Sequence, residues 1–370
     1  MTSSIRCAII GVGRAIGDTG TKGGGHRIGW THAGMFTRNP ATALVAAADI
    51  DAGNLAGFRD RFPCAGYADH RAMLAAERPD IVSLCTYVGL HEGMIADCAR
   101  AGVRGIVCEK PYLPSPAAVA RIDAIVRDTG IRIVTAHMRR HRPAFVRAAA
   151  LYQGGAVGVP VMACAGIAGW DLAEWGSHWL DLFRQVHGDR EPAWVMGQAR
   201  RRGARGYGHA MEDHAVAAVG WADGSHALLD GGMAMAGDAT MTLAGSAGMI
   251  RLVGEERVDI IDHHGLRSEL FSGAMPVGWE RLGLPEPPAD HRGRSWDGLW
   301  DMLLGDLLAW MDGGPEPALG HGRSRGTCLL MLAAYLSARL GDRIDLPLAE
   351  ALLAVDGWPL EDAPPGLPEG

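Results

Sequence analysis

The sequence has no apolar run approaching the ~20 residues needed to cross a bilayer, so no helical membrane span is expected. It has no CxxC pair. Its seven cysteines (Cys7, Cys64, Cys85, Cys98, Cys108, Cys164, Cys328) are scattered, mostly inside apolar runs. They read as reduced core residues of a cytoplasmic protein, not as a disulfide framework. There is no Lys/Arg cluster of the kind that tracks a phosphate backbone, and the formal net charge is −7, so nucleic acid is not an expected partner. The start, Met1 to Arg6, moves straight into a strand with no signal-peptide pattern. His263-His264 has no third ligand at useful spacing, so no metal is expected. The Arg200-Arg201-Arg202 run with Arg205 reads as a solvated surface, the alternative being a place for an anionic substrate group.

What is present fits a soluble, two-domain chain. It has 370 residues, too many for one ordinary core, with 48% hydrophobic and 21% charged residues. Ile5 to Ile10 reads as a strand, followed by Gly11-Val12-Gly13, the opening of a dinucleotide-binding turn. The third glycine is delayed. Residues 14–26 read as a glycine-rich insertion, with Gly29 opening the helical pattern that should follow; the alternative is that Gly17 completes a looser turn. Leu44 to Asp49 is a second strand ending in an acid. At that place an acid either holds the adenosine ribose and rejects a 2′-phosphate, favouring NAD over NADP, or caps the helix from Ala52. Further strands are expected over Pro79–Thr86, Gly105–Cys108 and Ile131–Ala136, alternating with helices. Strand–helix alternation with right-handed crossovers predicts a doubly wound parallel sheet, an α/β Rossmann domain over residues 1–136.

The strand Gly105–Cys108 ends on Glu109-Lys110-Pro111. A parallel strand delivers its C-terminal end to the ligand cleft, which places an acid and a base at a useful position. From residue 137 the pattern changes. Strands near Val159–Ala165, 193–201, 213–222, 224–231, 239–244 and 248–253 follow one another with short glycine turns, which predicts an α+β domain over 137–350 with a large, mainly antiparallel open sheet. Helices are expected over Ala173–Val186, Ser295–Asp312 and Ser324–Leu340, with a loop at Pro285–Pro288 and a loosely ordered tail over 351–370.

The glycine turn, the strand ending in Thr86, His91 and Glu109-Lys110-Pro111 resemble the glucose–fructose oxidoreductase / inositol dehydrogenase / rhizopine-catabolism (Gfo/Idh/MocA) family of NAD(P)-dependent sugar and polyol oxidoreductases. Met138 to Pro143, the block Glu174-Trp175-Gly176-Ser177-His178-Trp179-Leu180-Asp181, the turn at Leu243–Gly248 and the helix at Ala334–Arg339 extend the resemblance over most of the chain. It implies that Thr86, His91, Glu109, Lys110 and Arg140 join Gly11, Gly13, Gly29 and Asp49 in holding the cofactor. It also implies a sugar or cyclitol substrate, and a homodimer or homotetramer formed through the open sheet. Three departures stand out: the inserted loop, Tyr87 where the family has proline, and Glu174 where it has aspartate, with Asp171 as a nearby competitor.

The chemistry can be derived beside the resemblance. Moving a hydride from a carbinol carbon requires the hydroxyl proton to leave, which calls for a base and for a cation near the developing alkoxide. His178 suits the base. Lys110 suits the cation or a proton relay, with desolvation expected to lower its pKa. Glu109 is expected to orient Lys110 or bind the nicotinamide ribose, and Glu174 to orient His178 or hold a second hydroxyl. Trp170 and Trp175 are possible platforms for a sugar ring, against the plainer reading of core packing. His209 and His214 read as packing or cleft edge. Two other functions fit the same residues: a redox-neutral elimination, glycoside cleavage or epimerisation on transiently used NAD, and an NAD/sugar sensor without turnover.

Overall fold

Short apolar runs build the first half of the chain. In the computed structural model, which describes residues 4–14, 27–169, 171–232, 240–271 and 296–361, strands β1 (Ile5–Ile10), β2 (Thr42–Ala48), β3 (Ala65–Tyr67), β4 (Ile81–Leu84), β5 (Gly105–Cys108) and β6 (Arg132–Thr135) form one sheet in the order β3-β2-β1-β4-β5-β6. All five pairings are parallel. β4 and β5 are buried at every residue, which is why they read as uninterrupted apolar runs. Helices α1 (Ile28–Arg38), α2 (Ala52–Arg61), α3 (His70–Glu77), α4 (Val88–Arg100) and α5 (Pro116–Thr129) make the crossovers. α5 shows how locally the boundaries are written: the Ser115 hydroxyl accepts the Ala118 N–H, Pro116 opens the helix, and Gly130 closes it in the left-handed region.

A short 3₁₀ turn (Met138–His141) and α6 (Pro143–Gln153) lead into the second sheet. There follow β7 (Pro160–Ala168), a π turn (Leu172–Gly176) running into α7 (Ser177–Val186), β8 (Trp194–Arg200), a small hairpin of β9 (Arg205–Gly206) and β10 (His209–Ala210), then β11 (His214–Gly220), β12 (His226–Gly232), β13 (Thr240–Gly245), β14 (Gly248–Val253), β15 (Arg257–Asp262) and β16 (Gly265–Leu270). After α8 (Trp296–Met311) and α9 (His321–Leu340) come β17 (Ile344–Asp345) and α10 (Glu350–Leu353). The nine-stranded sheet runs β16-β15-β14-β13-β7-β12-β11-β8-β17. Every neighbour is antiparallel except β7 and β12. The expected open antiparallel sheet is present, with one parallel pair in its middle.

Two helices from the end of the chain tie the parts together. α8 buries Leu303, Leu304 and Leu307 in one apolar cluster with Ile9, Val107 and Val134 of the first sheet. α9 is buried along most of its length and packs on β8, α7 and β6. All seven cysteines are free thiols. No helix among the described residues is long and apolar enough to cross a membrane. Trp170, residues 15–26 of the insertion, the Pro285–Pro288 loop and residues 362–370 of the tail lie outside the described residues.

Candidate active site

The C-terminal ends of β1, β2 and β4 open on a cleft of about 160 Å³. It is lined by Gly11, Gly13, Asp49, Ile50, Thr86 and Tyr87, among others. Gly11 has φ +86°, and a Cβ there would lie 2.7 Å from the Cys85 carbonyl oxygen and 2.8 Å from Thr86 Cγ2. Only glycine leaves that approach open. Gly29 does the work of the delayed third glycine: a Cβ on it would meet the Gly11 carbonyl oxygen at 2.7 Å, so α1 sits directly against the turn. Gly17 lies outside the described residues. Gly29→Ala is expected to push α1 off the turn and weaken NAD binding at least about tenfold, read by titrating cofactor fluorescence; an unchanged Kd would show that the close approach is dispensable.

Asp49 is not the cap of α2. That role belongs to Asp51, which accepts the Asn54 N–H at 2.9 Å. Asp49 Oδ2 instead accepts the N–H groups of Val12 and Gly13 at 2.9 and 3.0 Å, and Oδ1 accepts that of Asp51. Its carboxylate therefore shapes the glycine turn from the cleft side. Ile50 beside it is 96% exposed and offers an apolar wall at the cleft rim. The glycine cradle and this acid fit a bound dinucleotide.

His91 is fully buried. Its ring nitrogens lie 2.9 Å from the Tyr112 carbonyl oxygen and 3.0 Å from that of Thr86, so it pins the loops after β4 and β5 to each other. Arg140 is also internal: its guanidinium donates to Asp189 at 2.5 Å and to the Ala318 carbonyl at 3.1 Å. Neither side chain lines the cleft. Glu109 accepts the Lys110 N–H at 3.1 Å, and its other oxygen lies 3.1 Å from His32 Nε2 on α1. His32 Nδ1 is in turn 2.9 Å from Ser83 Oγ. Burial opposes the Glu109 charge, but His32 and Lys110 more than offset it and hold its pKa below the ordinary value.

Lys110 donates from Nζ to the Glu174 carbonyl at 2.8 Å and to Glu174 Oε2 at 3.0 Å. Here two expectations need correcting. Burial alone would lower the Lys110 pKa, but Glu174, Glu109 and Asp171 outweigh it and the pKa is raised. Lys110 is thus a fixed ammonium with one N–H that has no acceptor among the described residues, since an ammonium carries three donors. Glu174 does not orient His178. Its second oxygen lies 3.7 Å from His209 Nε2, and burial is outweighed by Lys110 and His209, which pull its pKa down to about 2. The reason is the π turn. Residues i and i+4 stack on one face of an α-helix, but here the Gly176 N–H reaches back five residues to the Asp171 carbonyl. The wider turn sends Glu174 toward Lys110, while His178 goes to His137, with ring centroids 5.2 Å apart.

His178 is 6% exposed, and its Nδ1 is buried with no hydrogen-bond partner among the described residues. Burial, then Arg139, His137 and Lys110, hold its pKa well below the usual imidazole value, so it rests neutral. Asp171 does not support it either: Oδ1 accepts the Glu174 N–H at 2.9 Å. Burial, Glu212 and Glu174 raise the Asp171 pKa to about 7. A carboxyl whose folded pKa exceeds its unfolded one costs stability as it ionises, from the unfolded pKa up to the folded one. Asp171 therefore removes stability as pH rises from roughly 4 to 7, against the gain from His178 over the same range, and Asp171→Asn, which keeps the Oδ1 acceptor, is expected to make stability rise more steeply with pH there. Identical slopes in the two proteins would contradict this placement of Asp171.

Trp175 is a poor platform, because Arg139 lies 4.4 Å over its ring. An aromatic wall that the sequence did not suggest is Tyr207, which meets Tyr87 edge-on at 6.1 Å. It sits at the tip of the β9–β10 hairpin with φ +51°, a conformation a tyrosine seldom adopts. His32, His137 and Tyr207 were the residues sequence reasoning missed, while His209, read as packing or cleft edge, comes to face Glu174. Only His32 left a signal, lying three residues after Gly29 on the face of α1 that turns to the sheet.

Residues 5–137 match the model of the GFO/IDH/MocA oxidoreductase family, NAD-binding Rossmann fold, and residues 131–251 match the GFO/IDH/MocA C-terminal domain. D-apiose dehydrogenase of Paraburkholderia graminis is 24% identical over 86% of this chain and 89% of its own length. Inositol 2-dehydrogenase of Rubrobacter xylanophilus is 28% identical over 40% of this chain and 42% of its own. Levoglucosan dehydrogenase, solved with NADH and levoglucosan, shares the fold with a TM-score of 0.74 at 19% identity, covering 93% of this chain and 100% of that one.

Proposed function

The chain belongs to the GFO/IDH/MocA family of NAD-binding oxidoreductases, and from that premise we propose that it oxidises a secondary hydroxyl of a sugar or cyclitol, with Lys110 and His178 handling the charge and the proton. The observation that carries this reading is the pairing of opposite roles at the strand ends. Lys110 is held as an ammonium with one donor to spare, and a neutral His178 lies within reach of its charge. Bound NAD supplies the hydride acceptor. The chain's own residues do the rest. Lys110 donates its remaining N–H to the substrate oxygen and stabilises the negative charge that grows there. His178 takes the hydroxyl proton as the carbinol C–H bond breaks and the carbonyl forms. In the reverse direction the imidazolium returns that proton to a ketone oxygen.

Gly11, Gly13, Gly29 and Asp49 form the dinucleotide cradle, with Thr86 on its wall. Glu109 fixes the Lys110 backbone, and His91 and Arg140 act as struts behind the site. Glu174 positions Lys110 instead of a second hydroxyl. The relatives named as dehydrogenases of apiose and inositol support net oxidation over a redox-neutral cycle and point to a neutral polyol. The outer face of the nine-stranded sheet, with Val161, Met196, Met249 and Leu266 exposed, supports a homodimer or homotetramer through that face.

The test is a screen of aldoses, anhydrosugars and cyclitols with NAD and NADP, following reduced cofactor by absorbance. One NADH per ketone formed and a preference for NAD are expected. Product without released NADH would establish the redox-neutral reading, and a preference for NADP would overturn the role given to Asp49.

A further inference from the structure

The hairpin β9–β10 carries His209 into the interior, where no catalytic role calls for it. The ring is 4% exposed and stacks on Trp358 with centroids 4.1 Å apart. Its Nδ1 lies 3.0 Å from the Ala210 carbonyl oxygen. A carbonyl can only accept, so Nδ1 carries the hydrogen. Nε2 faces Glu174 Oε1 at 3.7 Å. A neutral ring would turn its lone pair on a carboxylate there, while a protonated ring turns an N–H on it. Glu174 thus stands between two cations, with Oε2 on Lys110 and Oε1 toward His209.

We propose that His209 is a positioning residue for Lys110: its imidazolium holds one oxygen of Glu174 and so limits how much of that carboxylate's charge falls on the Lys110 ammonium. The proposal rests on the reading of Lys110 as the cation that meets the developing alkoxide. An ammonium fully neutralised by its own carboxylate stabilises an alkoxide poorly, and sharing Glu174 with His209 leaves Lys110 a stronger partner for substrate oxygen. The hairpin is built to keep the ring in place. Trp358 Nε1 donates to the Ala210 carbonyl at 3.0 Å, and Glu361 accepts the Ala210 N–H at 3.0 Å while pairing with Arg205. The groups facing the ring are Glu174 and Asp171 from the π turn, Glu212 at the entry to β11, and Lys110 across Glu174. Burial opposes the imidazolium, but Glu174, the Ala210 carbonyl and Asp171 outweigh it and raise the His209 pKa.

Two measurements test this. In wild-type protein labelled with ¹³C-histidine, the His209 resonance should titrate above the free-imidazole range of about 6.5; a ring already neutral at pH 7 would overturn the proposal, and this readout needs neither turnover nor a variant. In the active enzyme, kcat for oxidation should fall on the alkaline side as His209 loses its proton. His209→Gln should abolish that limb and lower kcat roughly tenfold at neutral pH, with the Kd for NAD unchanged. In a Glu174→Gln background the same substitution should cost nothing more, because the group through which His209 acts is gone. An alkaline limb that survives in His209→Gln, or losses that multiply in the double variant, would show a merely structural histidine. If no polyol is oxidised at all, the functional reading fails while the titration still decides the charge of His209.

Discussion

Lys110→Met is expected to lower kcat by about 10²–10³, the usual cost of removing one preorganised donor from a developing oxyanion. Methionine has similar length and no donor, so the change removes the charge and the spare N–H together. The Kd for NAD should move little, because the glycine cradle and Asp49 lie at other strand ends. Stability should also fall. Lys110 has a raised folded pKa, so its contribution is fully present below the unfolded lysine pKa and is lost only as pH rises through the folded one. At neutral pH the variant therefore forfeits all of it and leaves Glu174 buried beside His209 alone. Removing one partner of such a pair costs about 3–5 kcal/mol. Adding Glu174→Gln should recover much of the stability and none of the activity, which separates the two roles. Turnover within tenfold of wild type, with NAD still bound, would sink the assignment.

Lys110 stands out for a reason beyond its position. The chain places lysine only at 22 and 110 and uses arginine for its other side-chain cations. An ammonium at the end of a buried strand is thus a departure from the chain's own habit. The core of the first domain was legible because β4 and β5 are buried on both faces and their sequences carry that burial outright. β15 and β16 were not: RVDIID and GLRSEL mix charges into short outer strands of the sheet, and pairing with β14 decides them, not local preference. The order of the nine-stranded sheet was hidden for a similar reason. Its one parallel contact joins β7 to β12 across the π turn, α7, β8, the β9–β10 hairpin and β11, and nothing local records it.

The active centre shows where one-dimensional spacing stops informing. Glu174 and His178 stand four apart, and the obvious inference is a shared face. The π turn over Leu172–Gly176 breaks it, and its cause is tertiary. Leu172 N–H is taken by Glu212 at 2.7 Å, and Asp171 holds the Glu174 N–H, so the first turn is pinned from outside the helix. The pairing that the spacing suggests does not form, because Glu212, just ahead of β11, and Asp171 set the backbone that aims both side chains. His209 read only as packing or cleft edge for the same reason: its place facing Glu174 depends on the β9–β10 hairpin and on stacking against Trp358.

His178→Asn is expected to lower kcat for oxidation by about 10²–10⁴, the range for losing a positioned general base. The pH dependence distinguishes this from a packing defect. A base works only when unprotonated, so the acid limb of kcat/KM sits at its pKa. Burial, Arg139, His137 and Lys110 hold that pKa well below the ordinary value near 6.5. Oxidation should therefore stay level from neutral pH to well below 6.5, and ketone reduction, which needs the imidazolium, should quicken as pH falls. Arg139 offers the control. It lies over Trp175 and pairs with Glu255 at 2.6 Å, outside any contact with the reacting groups. Arg139→Gln removes a positive neighbour, which favours the imidazolium and should move the acid limb upward toward 6.5. The same depressed pKa makes His178 a source of acid instability: the unfolded chain binds its proton first, so stability present above pH ~6.5 is lost as pH falls toward the folded pKa. His178→Asn should lessen that loss while abolishing the kinetic limb. An acid limb that stays in place in both variants would assign the base to another group.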